Sequence, residues 1–179
     1  MIKQILIAAV AGFFSFAIHA DPAKPAGVSF QAACTNAWME KSADAKDKVD
    51  YKNFGEKYCG CAAAQPLDDD AAVQKAIHVC MSRTLLHDAM DSMEDEIGLS
   101  KAKDTDIAEH CQDRWDLIYP KQTDADKKQT MAYCECAKPK LMDLVKQSDS
   151  MTDKQYDEGV DAVAATCSGD ALVSKPTTN

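Results

Sequence analysis

The chain has 179 residues, 46% of them hydrophobic and 27% charged, with 29 acidic against 20 basic side chains and a net charge of −9. That excess of negative charge repels nucleic acid and anionic lipid, so neither is an expected partner. Eight cysteines, an even number, point to disulfides formed in an oxidising compartment and argue against free-thiol catalysis.

The N-terminus carries Lys3, then the apolar run ILIAAVAGFFSFAI from Ile5 to Ile18, then His19, Ala20 and DPAKP. This is the layout of a secretory signal peptide over residues 1–20, with cleavage expected after Ala20. The apolar core of 14 residues falls short of the roughly 20 that a membrane-spanning helix needs. No stable membrane anchor is therefore expected after cleavage. The first cysteine is Cys34, well past the cut, which argues against lipid anchoring. The Sec-type route would deliver the chain to the periplasm of a Gram-negative bacterium or, beyond it, to the medium. Residues 21–28 are expected to be a flexible lead-in.

Beyond the leader the chain repeats itself. With Cys34 placed on Cys111, Trp38 falls on Trp115, and after a two-residue gap YCGCA (Tyr58 to Ala62) falls on YCECA (Tyr133 to Ala137). Cys80 and Cys167 close the two halves. The cysteine spacings are 25, 2 and 19 in the first and 23, 2 and 31 in the second. Only two tryptophans exist in the chain, and both fall in register. The pattern predicts two homologous units, residues 29–97 and 105–168, joined by a linker at 98–104 and followed by a disordered tail at 169–179.

Each unit reads as three helices. In the first, Ser29 is the expected N-cap of a helix through SFQAACTNAWMEKSADAK, with Phe30, Ala33, Cys34, Ala37 and Trp38 on one face. YKNFGEKYCGCAAA forms the second helix, ended by Gln65 and Pro66, with Gly55 and Gly60 weakening it. DDDAAVQKAIHVCMSRTLLHDAMDSMEDEI forms a long third. In the second unit TDIAEHCQDRWDLIY stops before Pro120, and TDADKKQTMAYCECAK starts from Thr123 and is ended or kinked by Pro139. PKLMDLVKQS is expected as a short separate helix, and Thr152 with Gln155 fits a capping box for the last helix. Alternating β-branched runs are scarce, so the expected fold class is all-α, a disulfide-stapled helical bundle.

Residues two apart on a helix point about 200° from each other. Cys59 and Cys61 therefore reach different neighbours, as do Cys134 and Cys136, and each middle helix becomes a two-sided staple. Counting outward from the turns favours Cys34 with Cys61 and Cys59 with Cys80. By analogy, Cys111 pairs with Cys136 and Cys134 with Cys167. Trp38 and Trp115 are expected to pack as structural rings beside these bridges.

The main candidate for chemistry is the stretch HVCM and HDAMDSM, where His78 and Met81, and His87, Met90 and Met93, stand three residues apart. These pairs resemble the His-x-x-Met and Met-x-x-Met donors of periplasmic copper and silver sponges, which implies Cu(I) or Ag(I) binding through imidazole and thioether. Two facts weigh against it. The two groups lie about 180° apart on a straight helix, and methionine on a helix face is usually core filler. No metal site is favoured. The single-residue gap in CGC and CEC does not suit zinc, no CxxCH attaches haem, and no cofactor is expected. There is no GxSxG, and His110 beside Cys111 reads as a surface residue next to a bridged sulfur. Asp68 to Asp70 and the acids from Asp91 to Glu96 do not follow the calcium-loop order. No catalytic residue stands out, and the chain is not expected to be an enzyme.

The expected function is that of an exported, non-catalytic protein-binding module, whose partner is a protein, with a basic one the sharper expectation. A secreted bacterial effector or colonisation factor would fit. The alternatives are a periplasmic immunity or inhibitor protein, a copper- or silver-binding protein, and a small hydrolase.

Overall fold

The computed structural model describes residues 29–171. Within them lie six α-helices and no strand: α1 Phe30–Met39, α2 Lys48–Ala63, α3 Asp70–Glu96, α4 Asp104–Ile118, α5 Asp124–Val145 and α6 Asp153–Ala171. Short 3-10 turns at Ser42–Asp44, Leu99–Lys101 and Ser148–Ser150 sit in three of the connections. The all-α fold expected from the sequence is what forms. Residues 1–20, expected as a signal peptide, residues 21–28 and tail residues 172–179 lie outside the described residues, and α6 runs three residues into the segment expected as tail.

Side-chain caps set the helix starts. Ser29 Oγ accepts from the Ala32 N–H at 3.2 Å, and Thr123 and Asp126 form a reciprocal capping box, as do Thr152 and Gln155. Asp47 caps α2 by accepting from the Val49 and Asp50 N–H groups, and Asp69 caps α3 through Ala72. Each such cap is worth about 1 kcal/mol. Helix α3 ends where Gly98 takes φ +84°, a left-handed conformation that glycine adopts without a Cβ penalty, and its N–H donates to the Met93 carbonyl.

Consecutive helices pack on each other, and α3 also packs against α6. At 27 residues, or about 40 Å by helical rise, α3 is the spine of the bundle, touching α2, α4 and α6. One continuous core runs through both halves, from Trp38, Phe54 and Tyr58 to Leu141, Val160 and Cys167. Tyr133 crosses the centre of it. Its hydroxyl lies 2.5 Å from Ser82 Oγ and donates to the Ser82 carbonyl, while Ser82 Oγ donates to the Ala164 carbonyl, tying α3, α5 and α6 together. Burial pushes the Tyr133 phenol well up, with the Ser82 bond pulling the other way.

All eight cysteines are paired, and the bridges are Cys34–Cys59, Cys61–Cys80, Cys111–Cys134 and Cys136–Cys167. The two-sided staple holds, since α2 is bridged to α1 and α3, and α5 to α4 and α6. The expected pairings do not. The expected pairings need the first helix to continue through KSADAK, whereas α1 stops at Met39. Cys34 is then only five residues from the helix end, so Cys59, eleven residues into α2, lies more nearly level with it than Cys61 does. Once Cys59 is taken, the opposite face leaves Cys61 for Cys80. The second half follows the same order.

Two further expectations are corrected. Pro139 neither ends α5 nor begins a separate helix, because α5 runs unbroken for 22 residues. The turn that loses a backbone bond at the proline is held by the bridge at Cys136 and by Leu141, Met142, Leu144 and Val145 in the core. His110 is buried at 8% exposure, not on the surface.

Candidate interaction surface

A polar cleft of about 320 Å³ opens where α2, α3 and α4 meet. Asp50, Asn53, Glu56 and Lys57 line it from one face of α2, at spacings of three and four residues that keep them in one stripe. The adjoining stripe of α2, Tyr51, Phe54 and Tyr58, is buried and fixes which way the polar one faces. Asp88 enters from α3 and Arg114 from α4.

Asp88 is the hub, only 13% exposed, with a cation on each oxygen. Lys57 Nζ donates to its Oδ1 at 2.9 Å and Arg114 Nη1 to its Oδ2 at 3.2 Å. Lys57 also donates to Asp91 at 3.1 Å, and Arg114 stands 3.7 Å from Asp50. Partial burial pulls the Lys57 ammonium down, but its bonds to Asp88 and Asp91 outweigh that and hold it above the ordinary lysine value. Arg114 is more enclosed, its side chain 17% exposed, and its Nε is buried without a hydrogen-bond partner. Glu56, on the same face, pairs with Lys52 at 3.0 Å, so the four carboxylates Asp50, Glu56, Asp88 and Asp91 are served by three cations.

A second cluster lies on the α3–α6 seam. Arg83 donates through Nε and Nη2 to both oxygens of Asp161, and His87 Nε2 lies 3.0 Å from Asp161 Oδ1, with Asp157 3.9 Å from the other ring nitrogen. This cluster clasps two helices.

The soft-donor candidates are scattered by the fold. Met81, Met90 and Met93 are core side chains at 8%, 3% and 0% exposure, while His78 is half-buried and His87 is engaged by Asp161. Among the described residues, no three His, Cys, Asp or Glu side chains are grouped to hold a metal ion. Asp69 serves as the α3 cap. Asp91 serves the cleft, and Glu96 accepts from Ser92 at 3.1 Å.

None of the six cleft-lining residues stood out in the sequence. The signal was there as the stripe Asp50, Asn53, Lys57 beside an aromatic one, but an amphipathic helix shows the same stripe when its polar face simply meets water. No helix among the described residues is long and apolar enough to cross a membrane. The chain matches no protein-family model, no curated protein and no solved structure.

Proposed function

We propose that the chain is exported into an oxidising compartment, periplasmic or extracellular, and works there as a non-catalytic module that binds a basic protein. The observation that carries this reading is the α2–α3–α4 cleft, where carboxylates outnumber cations and the supporting helices are cross-linked. Four disulfides fit such a compartment, and the leader at residues 1–20 fits the route. Stapled helices lose little entropy on docking, and an acidic cleft speeds encounter with a basic surface. A secreted effector or colonisation factor is the role that suits this description.

The test is affinity capture from periplasm, culture medium and host extract with the oxidised protein as bait. A second bait carries Asp50→Lys and Glu56→Lys. The expected result is a basic protein retained by the first bait, released by salt, and lost from the second. Equal retention by both baits, or a retained partner that is acidic, would sink the reading.

A further inference from the structure

The four bridges differ in how open their cysteines lie. Cys34–Cys59 and Cys111–Cys134 are shut in, with each of the four residues 6% exposed or less. Cys61–Cys80 and Cys136–Cys167 each join a cysteine at 0% exposure, Cys80 or Cys167, to a half-buried one, Cys61 or Cys136. These two half-open bridges occupy matching places in the repeat, yet their charge settings differ. Lys140 stands one turn after Cys136 on α5, and helical side chains lean toward the N-terminus, so it folds back over the cysteine. Its Nζ donates to the Cys136 carbonyl at 3.2 Å and lies 3.7 Å from Cys136 Sγ. The neighbouring carboxylate, Glu135, is taken up by Lys138 at 2.6 Å. Ala132 and Pro139, on the same face of α5 as Cys136, are exposed and have short side chains with little reach over the sulfur. Cys61 lacks such a cation. It lies in the last turn of α2, where the carbonyl end of the helix opposes a thiolate, and residue 65, which matches Lys140, is glutamine. Lys57, one turn before Cys61, leans away from it and is held by Asp88 and Asp91.

We infer that the Cys136–Cys167 bridge is a thiol-exchange site, opened at Cys136 by a thiolate drawn in beside Lys140. The incoming thiolate attacks Cys136 Sγ and forms a mixed disulfide there. The Cys136–Cys167 bond breaks, and its electron pair leaves on Cys167, which takes a proton from water. A dithiol completes the exchange: its second thiolate attacks its own sulfur of the mixed disulfide, and Cys136 leaves as a thiolate beside the Lys140 ammonium. The dithiol is oxidised by two electrons to its own disulfide, and the two cysteines are reduced to thiols. Lys140 acts at both ends of this sequence, attracting the anionic nucleophile and stabilising the last leaving group. Loop length sets what a closed bridge contributes to stability, whereas the surroundings of its sulfurs set how fast it opens. These are separate properties, and the bridge across the longest stretch, 31 residues, is here also the quickest to exchange.

This inference does not rest on the basic-partner reading. The full oxidised chain, folded, is exposed to dithiothreitol or to reduced glutathione, quenched with iodoacetamide at intervals and mapped by mass spectrometry. With dithiothreitol, Cys136 and Cys167 should be labelled about three- to tenfold faster than Cys61 and Cys80, and the two enclosed bridges last. With glutathione, a monothiol, the adduct should sit on Cys136 while Cys167 carries the alkyl label. Lys140→Gln should slow the opening of this bridge about three- to tenfold and leave the Cys61–Cys80 rate unchanged. Lys140→Arg, which keeps the charge, should retain most of the rate. Lys140 is exposed, so both variants should fold, and denaturation followed at 222 nm checks that a slower rate is not a change in stability. Cys61–Cys80 opening first, a glutathione adduct on Cys167, or Lys140→Gln reacting as fast as the unaltered chain would each overturn the site.

Discussion

Trp38 and Trp115 each stand four residues after the first cysteine of their half, yet the two rings meet different surroundings. Trp38 stacks on Tyr51 and Phe54, with centroids 4.9 and 5.6 Å away, and its Nε1 donates to the Tyr51 carbonyl at 2.8 Å. That reach into the α2 backbone is open only because residue 55 is glycine; a Cβ there would lie 2.3 Å from Trp38 Cδ1. Trp115 stacks on Tyr119 and meets Tyr133 edge-on, and its Nε1 is buried without a partner. The residue in register with Gly55 is Thr130, itself buried. The shared frame of cysteines and tryptophans sets where the helices are pinned. The residues around each ring decide how closely the first two helices of that half approach.

The widest way to break the comparison is to cut one staple in each half. Cys136 and Cys167, replaced together by alanine, remove a bridge across 31 residues; Cys61 and Cys80 remove one across 19. Chain entropy alone puts the losses at about 3.7 and about 3.2 kcal/mol. Guanidinium denaturation followed at 222 nm should place both variants well below the unaltered protein, with the Cys136–Cys167 variant the less stable. The reverse order would mean that strain or residual structure, and not loop length, sets what each bridge contributes.

Glycines give a sharper contrast. Gly55→Ala forces a methyl into a rigid indole and the helix backbone beneath it, with the bond to Tyr51 at stake; the expected net cost is about 2 kcal/mol after the gain in helix propensity. Gly159 in α6 looks equally crowded, since a Cβ would lie 2.5 Å from Leu144 Cδ1. There the obstacle is the far end of a flexible side chain, and alanine gains about 1 kcal/mol of helix propensity. Gly159→Ala should therefore fall within about 0.5 kcal/mol of the unaltered protein in the same denaturation experiment. Equal losses at the two sites would mean that Leu144 is as immovable as the indole.

The fold could be read from the sequence where local chemistry decides it. Ser29, Thr123 and the Thr152–Gln155 box marked three helix starts, and the two-residue cysteine spacing required bridges on opposite flanks of α2 and α5. Bridge order was not local. It depends on where α1 ends, and KSADAK has good helix formers but gives way to a 3-10 turn at Ser42–Asp44 before Asp47 caps the next helix. Pro139 misled for the complementary reason: a local breaker was overridden by packing on both sides of it. The cleft was hidden because its ion-pair network joins Lys57 of α2 to Asp88 of α3, 31 residues on, and no period in one helix shows that meeting.

The finest test of the two halves removes only the indole N–H and part of the ring. Trp38→Phe and Trp115→Phe lose similar apolar area from similarly buried positions, 7% and 3% exposed. They differ in what the nitrogen was doing. Trp38→Phe loses a formed hydrogen bond, typically about 1 kcal/mol, in addition to the lost area. Trp115→Phe removes a buried donor that had no acceptor, so the desolvation penalty of that group is returned and offsets part of the lost packing. Trp38→Phe should consequently be the less stable by about 1–2 kcal/mol in denaturation followed at 222 nm. A gap near zero would show that the Trp115 nitrogen is satisfied in solution, with an ordered water as its acceptor, and the two halves would then differ in shape but not in hydrogen bonding.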